Sequence, residues 1–211
     1  MLMNNYKPNE IEKKSFEIIT EEMGKIELDE NVLPIVKRVI HTTADFDYLH
    51  NLCFSENVIN TALEAIKSGT DIVTDTNMAL SGINKAALAK AGGRVYCFMA
   101  DEDVAKRAIE QNSTRACASM EKAAELGKPL IFAVGNAPTA LIKLDELVRN
   151  NKIKPALIIG VPVGFVNVVD SKELIMKSGV PYIVARGRKG GSNVAAAIVN
   201  ALLYMAFPRE N

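Results

Sequence analysis

The feature that most constrains the fold is a change of pattern near residue 70, where short apolar runs begin to alternate with helix-length segments. The runs are Asp71–Thr74, Arg94–Met99, Pro129–Val134, Pro155–Gly160 and Pro181–Ala185. Each is short and mostly apolar, as is typical of a strand buried on both faces of a sheet. The segments between and after them that predict helices are Ile83–Ala91, Asp103–Leu126, Thr139–Asn150, Ser171–Ser178 and Ser192–Ala206. Strands that alternate with helices imply parallel strands joined by right-handed crossovers.

We therefore predict an α/β fold, a three-layer α/β/α sandwich with a mainly parallel five-stranded sheet. An N-terminal helical segment should precede the sheet, because Glu10–Met23 and Asn31–Ile40 carry apolar residues at helical spacing. Ser55 is then expected to cap a further helix that ends near Gly69. The 211 residues contain no internal repeat and no convincing linker, which predicts one domain over residues 1–211. The strand order cannot be read from this pattern.

Charge and cysteine usage exclude several classes of partner. Lys+Arg and Asp+Glu both number 25, so no net field draws the chain to nucleic acid or to a membrane surface. The polar start MLMNNYKPNEIEKK is unlike a signal peptide, and no apolar run approaches the roughly 20 residues that span a bilayer. Three scattered cysteines, an odd number, indicate reduced thiols and a cytoplasmic location. An anionic ligand would therefore need a local cluster of positive groups.

Ligands of open parallel sheets bind beyond the carboxyl ends of the strands, which selects five loops as candidates. These loops are Asp75–Met78, Ala100–Asp101, Gly135–Thr139, Gly160–Phe165 and Arg186–Ser192. Four of the five are rich in glycine, proline or small polar residues, which let a large ligand approach the backbone closely.

The last of these loops is the most informative. Arg186, Arg188 and Lys189 lie within four residues, and Gly190-Gly191-Ser192 opens the final helix. Fixed positive charge at a helix N-terminus favours an anion. The spacing is not that of a P-loop, and no loop after a strand reads G-x-G-x-x-G, which argues against a nucleotide- or phosphate-binding enzyme. A solvated basic turn with a glycine stop is the structural alternative.

His41 is the candidate acid–base group. It is expected to end the helix that begins near Asn31, and Thr42, Thr43 or Asp45 could orient its ring. Histidine exchanges protons near neutral pH, although a lone histidine is often bonded to a carbonyl for structural reasons. The chain has two histidines and no metal-ligand spacing, and it contains no G-x-S-x-G elbow. Binding combined with one acid–base group is therefore the better hypothesis than a metal centre or covalent catalysis.

Four segments together resemble the precorrin-8X methylmutase family. They are RVIHTTADFDY (Arg38–Tyr48), GNAPTAL (Gly135–Leu141), GVPVGFV (Gly160–Val166) and GRKGGSNVAAAIVNAL (Gly187–Leu202). Each string alone is weak, but four in the family's order and at plausible spacing are highly specific. The resemblance runs from about Glu10 to Leu203, nearly the whole chain.

The resemblance implies an isomerase of cobalamin (vitamin B12) biosynthesis that acts on precorrin-8X or, in the anaerobic pathway, on cobalt-precorrin-8. A methyl group moves from carbon 11 to carbon 12 of the macrocycle, giving hydrogenobyrinate or cobyrinate, and no metal or organic cofactor is consumed. The family works as a homodimer with its active site near the subunit interface. Its catalytic histidine lies in the RVIHTTAD block, which places that role on His41.

The corrinoid substrate that the resemblance implies is a wide apolar macrocycle fringed by carboxylates. We expect apolar walls from Met78, Val163 and Phe165, and anion contacts from positive side chains and open helix N-termini. The full set of expected substrate contacts is Ser15, Thr42, Thr43, Asp75, Met78, Arg115, Asn136, Pro138, Thr139, Val163, Gly164, Phe165, Arg188, Lys189, Gly190, Gly191 and Ser192. A non-catalytic tetrapyrrole carrier of the same fold would share these contacts and lack the proton donor, so the presence of His41 favours the enzyme.

Overall fold

The computed structural model describes residues 7–208 and contains one mixed sheet of six strands with helices packed on both faces. The strands are β1 Leu52–Phe54, β2 Ile72–Thr74, β3 Val95–Tyr96, β4 Ile131–Val134, β5 Leu157–Gly160 and β6 Tyr182–Ala185. Their order across the sheet is β1-β6-β5-β4-β2-β3. Strands β2 to β6 pair in parallel, and β1 pairs antiparallel with β6. The predicted three-layer α/β/α arrangement is confirmed.

Eleven helices connect and flank these strands in the described part of the chain. Those before β3 are α1 Pro8–Met23, α2 Leu33–Thr43, α3 Tyr48–Asn51, α4 Val58–Lys67, α5 Asn77–Gly82 and α6 Lys85–Ala89. Those after it are α7 Glu102–Glu110, α8 Arg115–Ala124, α9 Pro138–Arg149, α10 Val168–Met176 and α11 Ser192–Ala206. None of the helices within residues 7–208 is long and apolar enough to cross a membrane.

The prediction of five strands was wrong by one, because β1 forms an additional antiparallel edge strand. It has only three residues and follows a one-turn helix directly, so the sequence contains no apolar run that would predict it. Ser55 does not cap the next helix: its hydroxyl accepts a hydrogen bond from the Tyr182 N–H at 3.0 Å, which extends the pairing of β1 with β6. Helix α4 instead begins at Val58, after Asn57 in the left-handed conformation.

Two predicted helices are also divided differently. The segment predicted as one helix over Asp103–Leu126 is broken where Asn112 takes a positive φ of 48°. Thr114 then caps α8 by accepting the Cys117 N–H at 3.1 Å. In the same way, the segment predicted over Ile83–Ala91 holds only α6, which Asn84 caps by accepting the Ala87 N–H at 3.0 Å.

The strands alternate their side chains between two cores, as burial on both faces requires. Ile72, Ile131 and Ile159 face the core that contains α2, α4 and α11. Phe132 and Ile158 face the opposite core, which contains α8, α9 and α10. Because both faces of the sheet are apolar and covered by helices, a polar ligand can bind only at an edge or an end of the sheet.

The topology fixes which end of the sheet is open to a ligand. From β2 the chain passes to β3 on one side, returns to β4 on the other side of β2, and then continues outward to β5 and β6. The direction of winding therefore reverses between β2 and β4, and crevices in such sheets form at the carboxyl ends of the strands flanking this reversal. The loops after β2 and β4 lie side by side at that point.

Gly135 lets the loop after β4 pack directly on the start of α11. A Cβ atom at Gly135 would lie 2.7 Å from the Ser192 Cα atom and 2.8 Å from the Gly191 carbonyl oxygen. Both of these atoms belong to the backbone, so the space cannot be regained by rotating a side chain. The position of α11 relative to the sheet thus depends on a glycine here.

We predict that Gly135→Ala lowers the free energy of unfolding by about 1–3 kcal/mol, the usual cost of overpacking a core. Gly160→Ala is the matched control, because its Cβ would meet only the methyl groups of Leu141 and Val184, at 3.3 Å. Urea unfolding of both variants measures the difference. An equal loss in the two variants would show that the contact between Gly135 and α11 does not limit packing.

Candidate active site

Four of the five candidate loops meet at the first turn of α11. The Thr76 and Ser192 hydroxyls are hydrogen-bonded to each other at 2.8 Å, which joins the loop after β2 to α11. The Gly191 N–H donates to the Val161 carbonyl at 2.9 Å, and the Gly164 N–H donates to the Arg188 carbonyl at 3.1 Å. These bonds make the carboxyl edge of the sheet one connected surface.

Asp75 is the buried group that shapes this surface. Its Oδ1 atom accepts the Gly135 N–H at 2.8 Å, and its Oδ2 atom accepts the Asn136 and Ala137 N–H groups at 2.8 and 2.6 Å. Burial raises the pKa of the Asp75 carboxyl, and the three backbone hydrogen bonds oppose that rise. Asp75 was expected to contact the substrate, but its side chain has no exposed surface, so in this structure it acts on the shape of the Gly135–Ala137 turn.

The turn that Asp75 holds leads into α9, whose first turn is joined to the start of α8. Pro138 is the first residue of α9, and the Thr139 and Thr114 hydroxyls are hydrogen-bonded at 3.0 Å. Because Thr114 caps α8, this bond sets the first turn of α8, with the exposed Arg115, beside the first turn of α9. The backbone of Asn136 is bound to Asp75, and the residue remains exposed.

Large apolar side chains are exposed beside a guanidinium group on the same edge. Phe165 is 79% exposed, Met78 71% and Val163 49%. The Cζ atom of Arg188 lies 5.3 Å from the centre of the Phe165 ring, which is the geometry of a cation–π contact. A ligand that is apolar at its centre and anionic at its rim would meet both kinds of group here.

The three cations of the last loop have different partners. Lys189 is paired with Asp45 at 2.6 Å and with Asp47 at 2.7 Å, and Arg186 is paired with Glu173 at 2.8 Å. The hydrogen bond from Lys189 holds the pKa of the Asp45 carboxyl below its usual value. No carboxylate in residues 7–208 pairs with Arg188, whose guanidinium group is therefore available to an anionic ligand.

The ion pair of Lys189 links this loop to the segment that carries His41. His41 lies in the last turn of α2, which continues to Thr43, and its ring stacks on Phe16 of α1 with 5.1 Å between ring centres. It opens into a cleft of about 340 Å³. The other residues that line the cleft are Arg38, Thr42, Gly82, Asn193, Ala196, Ala197, Asn200 and Tyr204. The cleft thus runs along α11, from Asn193 next to Ser192 to Tyr204 near the end of the helix.

The groups expected to orient the His41 ring are engaged elsewhere. The Thr42 and Thr43 hydroxyls donate to the carbonyls of residues 38 and 39 within α2, at 2.9 and 2.8 Å. Asp45 is bound to Lys189. The stacking contact with Phe16 holds the ring instead. The expected contact residue Ser15 lies next to Phe16, and its hydroxyl donates to the Ile11 carbonyl at 2.9 Å.

Two residues near the site were missed by sequence reasoning. Arg38 lies one helical turn before His41, with its Cζ atom 4.8 Å from the Phe16 ring and its guanidinium group bonded to Glu12 at 2.5 Å. The spacing of Arg38 and His41 along α2 could have revealed this residue. Lys172 is the second, and nothing in its helical sequence context distinguishes it from a surface lysine.

Comparison with known proteins decides the family. The family model described as precorrin-8X methylmutase matches residues 10–205. The chain belongs to this family. Its members are isomerases of cobalamin biosynthesis, and the chain is accordingly an isomerase of the methylmutase type.

Individual relatives agree with the family model over nearly the whole chain. The cobalt-precorrin-8 methylmutase of Leptospira interrogans is 45% identical over 207 residues, which cover 94% of each chain. That of Salmonella typhimurium is 46% identical over 203 residues, 93% of this chain and 95% of the relative. The crystal structure of a precorrin-8X methylmutase from Thermus thermophilus matches with a TM-score of 0.86 at 39% identity, covering 93% of this chain and 96% of that one.

We predict that Asp75→Asn lowers the free energy of unfolding by about 2 kcal/mol. An amide offers one oxygen, and its NH₂ group would face backbone N–H donors that now bond to a carboxylate oxygen. Asp170→Asn, at an exposed acid of α10, is the control and should change stability by about 0.5 kcal/mol or less. Thermal unfolding near neutral pH measures both, and an Asp75→Asn protein as stable as the parent would contradict the role assigned to this carboxylate.

Proposed function

We propose that this protein moves a methyl group from carbon 11 to carbon 12 of precorrin-8X or cobalt-precorrin-8, giving hydrogenobyrinate or cobyrinate. The observation that carries the proposal is the placement of His41. A side chain that can exchange protons opens into a cleft along α11, and the apolar and cationic groups of the carboxyl edge lie on loops that meet at the first turn of the same helix. Family membership supplies the reaction, and this geometry supplies residues able to perform it.

The substrate's shape matches the chemistry of the connected surface. Phe165, Val163 and Met78 would cover the apolar face of the macrocycle and lose exposed area, which favours binding by about 25 cal/mol for each Å² removed from water. Arg188 and Arg115 would meet carboxylates at the rim, where a planar guanidinium group can donate two parallel hydrogen bonds. The Lys189 pair with Asp45 and Asp47 would hold the two sides of the site together, and Lys189 is also close enough to this edge to attract an anionic rim.

The reaction needs no net electron transfer. The bond from carbon 11 to the methyl group breaks as the bond from carbon 12 to the same methyl group forms, formally a 1,5-sigmatropic shift within one conjugated system. In our proposal His41 donates a proton to the conjugated framework, which draws electron density toward it and lowers the barrier, and the proton returns afterwards. General acid catalysis of this kind contributes typically about 10²–10⁴-fold, and preorganised polar contacts at the rim would add to it.

We predict that His41→Ala lowers turnover by roughly 10²-fold or more, the usual scale for removal of a general acid. The variant should fold and bind corrinoid, because His41 is exposed and most of the binding surface lies elsewhere. His41→Asn should behave in the same way, since an amide can hydrogen-bond but cannot exchange a proton. Visible absorption during incubation with precorrin-8X or its cobalt form measures the rate.

His50→Ala is the matched control for His41, because His50 is also exposed and lies at the end of α3 outside the cleft. It should retain the parent's rate. If folded, corrinoid-binding His41→Ala turns over within a few-fold of the parent, His41 is structural. Catalysis would then rest on how the macrocycle is bound, with Arg115 and Arg188 as the next residues to test.

We also propose that the protein is a cytoplasmic homodimer. Its three cysteines are free thiols, which suits a reducing compartment. Most of α11 lies in the chain's own core. Ile11 and Ile18, 52% and 44% exposed and two turns apart on α1, are the better candidates for a covered face.

We predict a particle of about twice the 22.9 kDa chain mass in light scattering at micromolar concentration. Ile11→Glu with Ile18→Glu should shift that mass toward the single chain if α1 is in the interface, because burying two carboxylates is unfavourable. A mass of 22.9 kDa for the parent protein would contradict the dimer.

A further inference from the structure

Lys172 is a buried cation that the chemistry proposed above does not use. It lies on α10, is 0% exposed, and donates through Nζ to the Gly187 carbonyl at 2.7 Å and to the Lys189 carbonyl at 2.8 Å. No carboxylate among residues 7–208 pairs with it, and burial lowers its pKa to about 8. A methionine of similar length would avoid the cost of burying a charge, so the value of the lysine lies in the two carbonyls that it holds.

Those two carbonyls determine where the neighbouring N–H groups point. The chain contains no cis peptide bond in its described part, and in a trans peptide the C=O and N–H bonds point in opposite directions. With the Gly187 and Lys189 carbonyls turned inward to Lys172, the N–H groups of Arg188 and Gly190 are turned away from it. Neither of these N–H groups donates to another group in residues 7–208.

The rest of the segment is fixed from the opposite side. The Arg188 carbonyl, which lies between the two held by Lys172, accepts the Gly164 N–H at 3.1 Å. Gly190 has a φ of 159°, and a Cβ atom there would overlap the Val161 carbonyl, so only glycine fits at this position. The segment from Gly187 to Gly190 therefore has alternate peptide groups facing in and out, with the N–H groups of Arg188 and Gly190 on the side away from Lys172.

We propose that Lys172 is a positioning residue: it holds the Gly187–Gly190 segment so that the N–H groups of Arg188 and Gly190 stay free to donate to carboxylates of the corrinoid rim. The ammonium group behind the peptides adds positive potential that solvent does not screen. This inference rests on the proposed function, because it assigns a contact to the substrate named there.

The test is binding of hydrogenobyrinate, the metal-free product, by Lys172→Met and Lys172→Gln proteins. Lys172→Met should weaken binding about tenfold or more, and KM for precorrin-8X should rise by a similar factor with kcat within about threefold, since a rim contact serves substrate and transition state alike. The salt dependence of its affinity should stay close to that of the parent, because ions screen a buried charge little. Lys172→Gln keeps N–H donors without the charge, so its affinity should fall between those of the parent and Lys172→Met.

Ser171→Ala is the matched control, because Ser171 is buried beside Lys172 on α10 but bonds only within its own helix, to the Val168 carbonyl at 2.9 Å. It should bind hydrogenobyrinate as the parent does. A folded Lys172→Met protein with the parent's affinity would overturn the inference. A parent protein that neither binds hydrogenobyrinate nor converts precorrin-8X would instead overturn the proposed function.

If both Lys172 variants fail to fold, amide hydrogen exchange of the parent protein tests whether the Arg188 and Gly190 N–H groups contact the ligand. The exchange of the Arg188 and Gly190 N–H groups should slow by about tenfold or more when hydrogenobyrinate binds, since each would then donate to a carboxylate. Unchanged exchange at both positions in the saturated protein would overturn the inference.

Discussion

Two buried charges of opposite sign hold the backbone of the active-site edge. Asp75 accepts three N–H groups of the loop after β4, and Lys172 donates to two carbonyls of the loop after β6. Each charge is satisfied by peptide groups instead of by a partner side chain, so each fixes the backbone of a loop without engaging that loop's own side chains. The glycines at 135 and 190 then let these two loops pack against their neighbours with backbone in contact with backbone.

The consequence is a site whose parts come from distant segments of the chain. The Lys189 ion pairs join residues separated by 144 and 142 positions and connect the last loop to the end of α2, where His41 lies. The cation–π contact of Arg188 with Phe165 combines charge and apolar surface in one place. A macrocycle with an anionic rim would bring the same two properties together, and this correspondence, with family membership, supports the proposed chemistry.

The sequence predicts the interior of this fold well and its edges poorly. Runs such as Pro129–Val134 and Pro155–Gly160 are apolar because both faces of the sheet are covered, and that burial is visible without a structure. Helix α11 was predicted with the bounds that it has, since Gly191 precedes it and its apolar residues are continuous. Strand β1 was missed because a three-residue antiparallel edge strand depends on its pairing with β6 and leaves no pattern of its own.

The same distinction holds in the site. Ligands of parallel sheets bind beyond the carboxyl ends of the strands, and this rule identified loops that meet in the structure. Which side chains in them are free could not be predicted, because the pairing of Lys189 with Asp45 and the burial of Asp75 and Lys172 arise from tertiary packing.

Methyl transfer within the corrinoid itself can be followed with precorrin-8X, or its cobalt form, that carries ¹³C in the carbon 11 methyl group. After incubation with the protein, ¹³C NMR of the corrinoid should show the label entirely in the methyl group at carbon 12 of hydrogenobyrinate or cobyrinate. Label that stays on carbon 11 in a corrinoid bound by the protein would contradict methyl transfer and identify a carrier.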